Sequence, residues 1–242
     1  MSSTAGHGVR VVIFGASGMV GAGTLLECLD DARVQSVLVV GRSSCGVTHA
    51  KLREVLHADF FDYALLAPLF PNIDACFFCL GVSAAGMTEP KYHHLTYDLT
   101  IAAARALLVA NPQMTFCYVS GKGTDSTGHG RVMWARVKGT TENALLALGF
   151  RAAFMLRPGF IEPMRGVRSK TRLYQTLISL FRPVFPLMRR ALPRMTTTSV
   201  AMGRAMIALA LRGDAKAVLE SDDINRLGSG PVAHYHGLAA GA

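Results

Sequence analysis

Short runs of β-branched and aromatic residues alternate with longer segments of helical spacing from residue 9 onward. That is the pattern of βαβ units, and of a parallel sheet buried on both faces. Val9 to Phe14 is the first such run, and Met19 to Cys28 follows as a helix with Leu25, Leu26 and Leu29 on its apolar side. Further strands fall at Ser36 to Val40, Leu52 to Asp59 (a weaker pattern) and Asp74 to Leu80. A short helix is expected over Phe60 to Leu69, stopped by Pro71. Pro90 to Ala110 reads as a long helix ending at Asn111-Pro112, Met114 to Val119 as the fifth strand, and Arg131 to Leu148 as a helix closed by Gly149. Ala152 to Leu156 is the sixth strand.

Beyond Arg157-Pro158-Gly159 the alternation breaks. Lys170 to Met195 is basic and amphipathic, Val200 to Arg212 is helical, Ala217 to Leu219 suits a last strand, and Ser229 to Ala242 reads as a loose tail. No repeat or linker interrupts this order. The expected fold class is therefore α/β, a doubly wound parallel sheet with a small C-terminal substrate-side lobe. It forms a single domain over 1–242, with the core at about 9–160, the lobe at about 161–228 and the tail at 229–242.

Half the residues are hydrophobic and 17% are charged, which suits strands buried on both faces. No run of 18 apolar residues occurs, and Met1 to Gly8 lacks the apolar core of a secretory signal. The expected address is cytoplasmic, with a peripheral position at the inner face of a membrane as its variant. Cys76 and Cys79 form a CxxC within an apolar run, and a redox or metal pair needs exposed or electropositive thiols. The pair is therefore read as buried thiols of a strand, the five cysteines being odd in number and scattered, and no metal site is expected. The net charge of +9 is concentrated: residues 151–195 hold ten Arg or Lys against one acid, Glu162. That distribution argues against a nucleic-acid binder and for a local anionic partner.

The chemistry-bearing feature is Gly15-Ala16-Ser17-Gly18-Met19-Val20-Gly21, which follows a buried strand and opens a helix. Glycines there let the backbone turn sharply and approach a pyrophosphate, while the helix N-terminus offers unpaired N–H groups to it. The residue ending the second strand selects the cofactor. An acid would favour NAD, but Arg42, with Ser43 and Ser44 beside it, can pair with a 2′-phosphate, so NADP(H) is favoured over NAD(H). Asp59 is placed to accept from the adenine amino group, and Leu80-Gly81 ends the fourth strand where backbone passes the nucleotide.

These pieces, together with Asp59-Phe60, Tyr118-Val119-Ser120, Lys138-Gly139 with Glu142, and Arg157-Pro158-Gly159, resemble the atypical and extended short-chain dehydrogenase/reductases. The likeness is to the Tat-interacting-protein-like and NmrA-like branch, often labelled nucleoside-diphosphate-sugar epimerase. It covers residues 9 to 160, and more weakly to about 225. The resemblance implies a Rossmann fold, a small-molecule substrate, and homodimers paired through the helices near 90–110 and 131–148. It also implies that Ser120 orients the substrate oxygen and that Lys138 holds the nicotinamide ribose.

The family's tyrosine, one turn before the lysine, is replaced by Trp134 in Trp134-Ala135-Arg136-Val137-Lys138. An indole N–H donates a hydrogen bond but is no acid near neutral pH. In this reading Trp134 is a flat apolar wall beside Ser120. Glu142 is a helix-surface pair, and Tyr92, His93, His94, Tyr97, Tyr118 and Lys138 through a water are alternative proton sources. Three functions stay open: a reductase or epimerase-like enzyme on a carbonyl or hydroxyl substrate; a catalytically inactive NADP(H)-sensing or scaffold protein; and a protein that meets an anionic membrane surface through residues 170–195. For the last, apolar positions at helical spacing are flanked by arginines, although Pro183 and Pro186 interrupt the helix.

Overall fold

A computed structural model describes residues 8–167 and 193–230. Seven parallel strands form the main sheet: β1 (Val9–Phe14), β2 (Val34–Gly41), β3 (Leu52–Leu56), β4 (Ala75–Phe78), β5 (Thr115–Val119), β6 (Ala152–Arg157) and, at the far edge, β9 (Val218–Glu220). Their spatial order is β3-β2-β1-β4-β5-β6-β9. The chain moves outward from β1 through β2 to β3, then crosses to β4 on the other side of β1. A crevice opens at that reversal, beyond the carboxyl ends of β1 and β4.

Alternation along each strand divides the core in two. Val11, Ile13, Val37, Val39, Ala75 and Phe77 face one layer, built by α1 (Met19–Asp30) and two C-terminal helices, α5 (Ser199–Arg212) and α6 (Ser221–Gly228). Val12, Phe14, Leu38, Val40, Cys76 and Phe78 face the other, built by α3 (Leu99–Ala110) and α4 (Met133–Ala147). Strands apolar on both sides need exactly such a double cover, which is why the sequence reads as continuous hydrophobic runs.

Several elements differ from expectation. Residues 60–69 form turns and one short 3₁₀ segment, Ala67–Leu69, in place of a helix. Asp59 and Asp62 each accept from the backbone N–H two residues on, at 2.9 Å, and these turns compete with helix formation. The third strand stops at Leu56, so Asp59 lies in the loop beyond it. The long helix begins at Glu89 and changes register: α2 (Glu89–His93) runs through a wide π-turn, His94–Asp98, into α3. A second, two-stranded parallel sheet pairs β7 (Phe160–Glu162) with β8 (Thr196–Thr198), and α6 adds a helix where none was expected.

The last part of the chain is tied to the first. Glu27 on α1 is buried and receives Arg165 at 2.9 Å and Arg204 at 2.8 Å. Of the ten basic residues in 151–195, the four described ones all have oxygen partners: Arg151 meets Thr115, Arg157 meets Glu142, Arg165 meets Glu27 and Asp30, and Arg194 meets Asp222. The membrane-surface expectation for 170–195 falls almost entirely outside the described residues, as does most of the tail. Among the described residues no helix is long and apolar enough to cross a membrane.

Candidate functional site

The glycine turn is built by close approaches that side chains would block. Gly15 has φ +81°, and a Cβ on it would sit 2.8 Å from the Leu80 nitrogen, so β1 and β4 can release their chains side by side only with glycine here. A Cβ on Gly21 would lie 2.2 Å from the Gly15 carbonyl oxygen. Gly21 thus lets the first turn of α1 settle onto the loop, and it does not line the cleft; Ala16 is likewise buried away from it. Gly18 caps α1 with extended backbone and no side-chain bond, which leaves the first-turn N–H groups for an incoming anion.

The cleft beside this turn has a volume of about 390 Å³. Gly15, Ser17, Gly18, Met19 and Val20 form one side; Arg42, Ser43 and Phe60 one end; Leu80 and Gly81 the wall; Ser120 and Lys138 the other end. Gly41, Cys79 and Val119, not assigned to the site from sequence, also line it. A second hollow of about 400 Å³ adjoins at Arg42, Phe60 and Leu80, and its walls include Asp59, Phe61, Leu95 and Leu99. Asp59 is exposed, with one carboxylate oxygen held by the Phe61 N–H. Leu95 and Leu99 reach this hollow from the π-turn and the start of α3, and no local sequence signal marks them.

At the other end, Ser120 is buried, with its hydroxyl 3.0 Å from that of Thr124, which in turn donates to the Gly121 carbonyl at 2.7 Å. The Lys138 ammonium donates to the carbonyls of Ser120 (3.1 Å) and Val119 (3.3 Å), and lies 5.5 Å above the centre of the Tyr118 ring. Burial pulls its pKa down to about 8, against the raising effect of Glu142. Glu142 is no surface group: it is buried and doubly bonded to Arg157 from β6. A Cβ on Gly139 would overlap the Asp125 carbonyl at 1.7 Å, so α4 lies hard against the 125–126 loop and carries Lys138 close to the strand ends.

Trp134 does not line the cleft. Its six-membered ring covers the Gly121–Gly123 turn, where Cβ atoms would lie 3.7 and 3.9 Å from it, so the expected wall beside Ser120 is instead a prop behind the loop that follows it. Tyr92 and Tyr118 are fully buried, and burial raises both phenols. His93 and His94 both face Asp98, and Tyr97 stacks on His93, on the outer side of the π-turn. None of these five lines the cleft. All five cysteines are free; burial pushes Cys79 up to about 12 and Cys76 well above the ordinary thiol range. No metal-ligating cluster occurs among the described residues.

The fold is that seen in solved short-chain dehydrogenases/reductases and related epimerases. A short-chain dehydrogenase from Burkholderia cenocepacia, solved in complex with NADP, matches with TM-score 0.60 over 91% of this chain and 92% of its own, at 16% identity. The Bordetella bronchiseptica enzyme WbmG, solved in complex with NAD, matches with TM-score 0.63 over 90% of this chain and 73% of its own, at 13% identity. In sequence the chain is 29% identical over 225 residues to Protein fmp52-2, mitochondrial, of Aspergillus terreus, covering 89% of this chain and 95% of that protein. No family model matches. The mitochondrial naming of that relative overturns the cytoplasmic expectation, which rested on nothing stronger than free thiols and a polar start.

Proposed function

We propose that the chain binds NADP(H) in the cleft and acts as an oxidoreductase or epimerase-like enzyme on a carbonyl or hydroxyl substrate, with Trp134 in place of the tyrosine that the resemblance implies. One observation supports this most: a single cleft at the sheet's reversal joins an uncapped helix N-terminus, an arginine and a serine–lysine pair. The uncapped turn suits a pyrophosphate, and exposed Arg42 with Ser43 suits a 2′-phosphate. The hollow between Asp59 and Leu99 suits an adenine. Lys138 and Ser120 then meet the nicotinamide end, where the bound cofactor supplies hydride transfer to or from a substrate carbon. A mitochondrial address, after the curated relative, belongs to the same proposal.

The position of Trp134, turned onto the glycine loop, favours a second reading in which the site binds NADP(H) and senses it without turnover. Both readings require binding, so binding is measured first. Trp134 is the sole tryptophan, and reduced nicotinamide in the cleft quenches its emission by energy transfer. The expected result is saturable quenching by NADPH, weaker quenching by NADH, and an NADPH affinity lowered ~10–100-fold in Arg42→Ala, the loss of about one charge-assisted pair. Equal responses to both cofactors would remove the NADP assignment. No response to either, with no heat by calorimetry, would remove the cofactor.

A further inference from the structure

Reduction of a carbonyl needs a proton at the oxygen as well as electrons at carbon. The cleft limits where that proton comes from. Among the described residues lining it, five carry a dissociable hydrogen on a side chain apart from the alcohol of Ser17: Arg42, Ser43, Cys79, Ser120 and Lys138 offer the remaining N–H, O–H and S–H groups. A guanidinium does not give up a proton in a protein, and a serine hydroxyl, about as weak an acid as water, is a poor donor near neutral pH. The Cys79 thiol is pushed up to about 12 and directed at the Thr24 hydroxyl, 4.0 Å away. No tyrosine lines the cleft, and the phenols of Tyr92 and Tyr118 are buried and raised. What remains is the Lys138 ammonium, fixed beside Ser120 by two main-chain carbonyls, with its third hydrogen left over.

We propose that Lys138 is itself the proton donor of this site, delivering a proton from Nζ to a substrate oxygen held at Ser120. This rests on the cofactor reading above. With a hydride supplied to the carbonyl carbon, as a bound reduced nicotinamide would supply it, a C–H bond forms and the C=O π pair moves onto oxygen. One N–H bond of the ammonium breaks with its electrons left on nitrogen, and the proton bonds to the oxygen. The products are an alcohol and a neutral amine, which water at the cleft mouth reprotonates. In the reverse direction the neutral amine accepts the proton.

The surroundings of Nζ suit both states. Beneath it on α4 is Glu142, whose charge is largely taken up by Arg157 from β6. β5 presents the Tyr118 ring and two carbonyls, β4 contributes the un-ionised Cys79, the glycine turn carries no charge, and β2 places Arg42 at the opposite end of the cleft. Desolvation therefore acts on the ammonium with little compensation, and its pKa of about 8 lies close to working pH, where a general acid is most effective.

The test separates the donor from the cofactor. In the cofactor-free protein, competitive acetylation of Lys138 by acetic anhydride, read by mass spectrometry across pH 6 to 11, is expected to show a midpoint near 8. With NADPH and a panel of aromatic aldehydes and ketones, the reduction rate is expected to fall as pH rises through that same midpoint. Lys138→Arg, which keeps the cation, should still show Trp134 quenching by NADPH but lose ~100-fold or more in reduction. An acetylation midpoint above 10, a Lys138→Arg variant reducing within threefold of wild type, or a wild type that binds NADPH yet reduces none of the panel overturns the donor role. Failure of NADPH to quench Trp134 sinks the cofactor reading instead, and the acetylation midpoint still reports on the lysine by itself.

Discussion

At the scale of single residues, the site depends on a buried charge pair that touches no ligand. Glu142 on α4 and Arg157 at the end of β6 meet beneath Lys138, with Glu142 buried and the Arg157 side chain only 13% exposed. Arg157 also donates to the Ser126 hydroxyl, joining the strand to the loop that α4 presses against. Two charges so far from water stay only because each satisfies the other. Glu142→Ala leaves a guanidinium without its counter-charge, and the expected loss is about 3–5 kcal/mol in urea unfolding. A loss below about 1 kcal/mol would mean that the pair is solvated like a surface bridge. Spacing along a helix could not reveal this pair, because its partner comes from a strand fifteen residues later.

Between elements, α1 packs closely against α5, made possible by small residues on both. A Cβ on Gly23 would lie 2.7 Å from that of Ser199, and one on Gly203 would meet Thr24 and Glu27 at 3.0 Å. Gly23→Ala sets two effects against each other. Helix propensity gains about 1 kcal/mol, while forcing an extra carbon into a closed contact costs about 1–3 kcal/mol. Ser199 also accepts the Met164 N–H at 2.9 Å, so displacing it disturbs the 163–167 loop as well. The packing cost should win, giving a lower melting temperature by calorimetry; a higher one would show that the helices part freely.

The same scale explains what the sequence could tell. Strands buried on both faces announce themselves as runs such as Val9–Phe14, and a glycine turn between strand and helix is local, so both were legible. β7 and β8 are three residues each and pair across more than thirty, too short for a period and too distant for a turn signal. The capping box of α6, Glu220 with Asp223, was a readable start that lay hidden behind a short, polar helix. Residues 60–69 show the opposite failure: apolar spacing suggested a helix, and the Asx turns at Asp59 and Asp62 prevailed. In the site, positions on the turn and strand ends were readable, whereas the aim of Trp134 depends on how the 121–123 loop folds back onto α4.

Across the whole molecule, the site sets a pH dependence on stability. Lys138 falls from 10.5 to about 8 on folding, so between those values the unfolded chain binds the additional proton. Stability then rises with pH through this interval, and the penalty for burying the ammonium is present in full below about 8. Lys138→Met removes the titrating group. It also loses two hydrogen bonds to the carbonyls of Val119 and Ser120, but that loss does not change with pH. The difference between wild type and Lys138→Met should therefore shift in favour of wild type as pH climbs from 8 to 10.5, by up to roughly 3 kcal/mol. Denaturant unfolding at pH 7, 8.5 and 10 measures it. Parallel curves would mean that the ammonium is as well solvated in the folded protein as in the unfolded chain, and the cleft would lose the one group among its described residues able to give up a proton near neutrality.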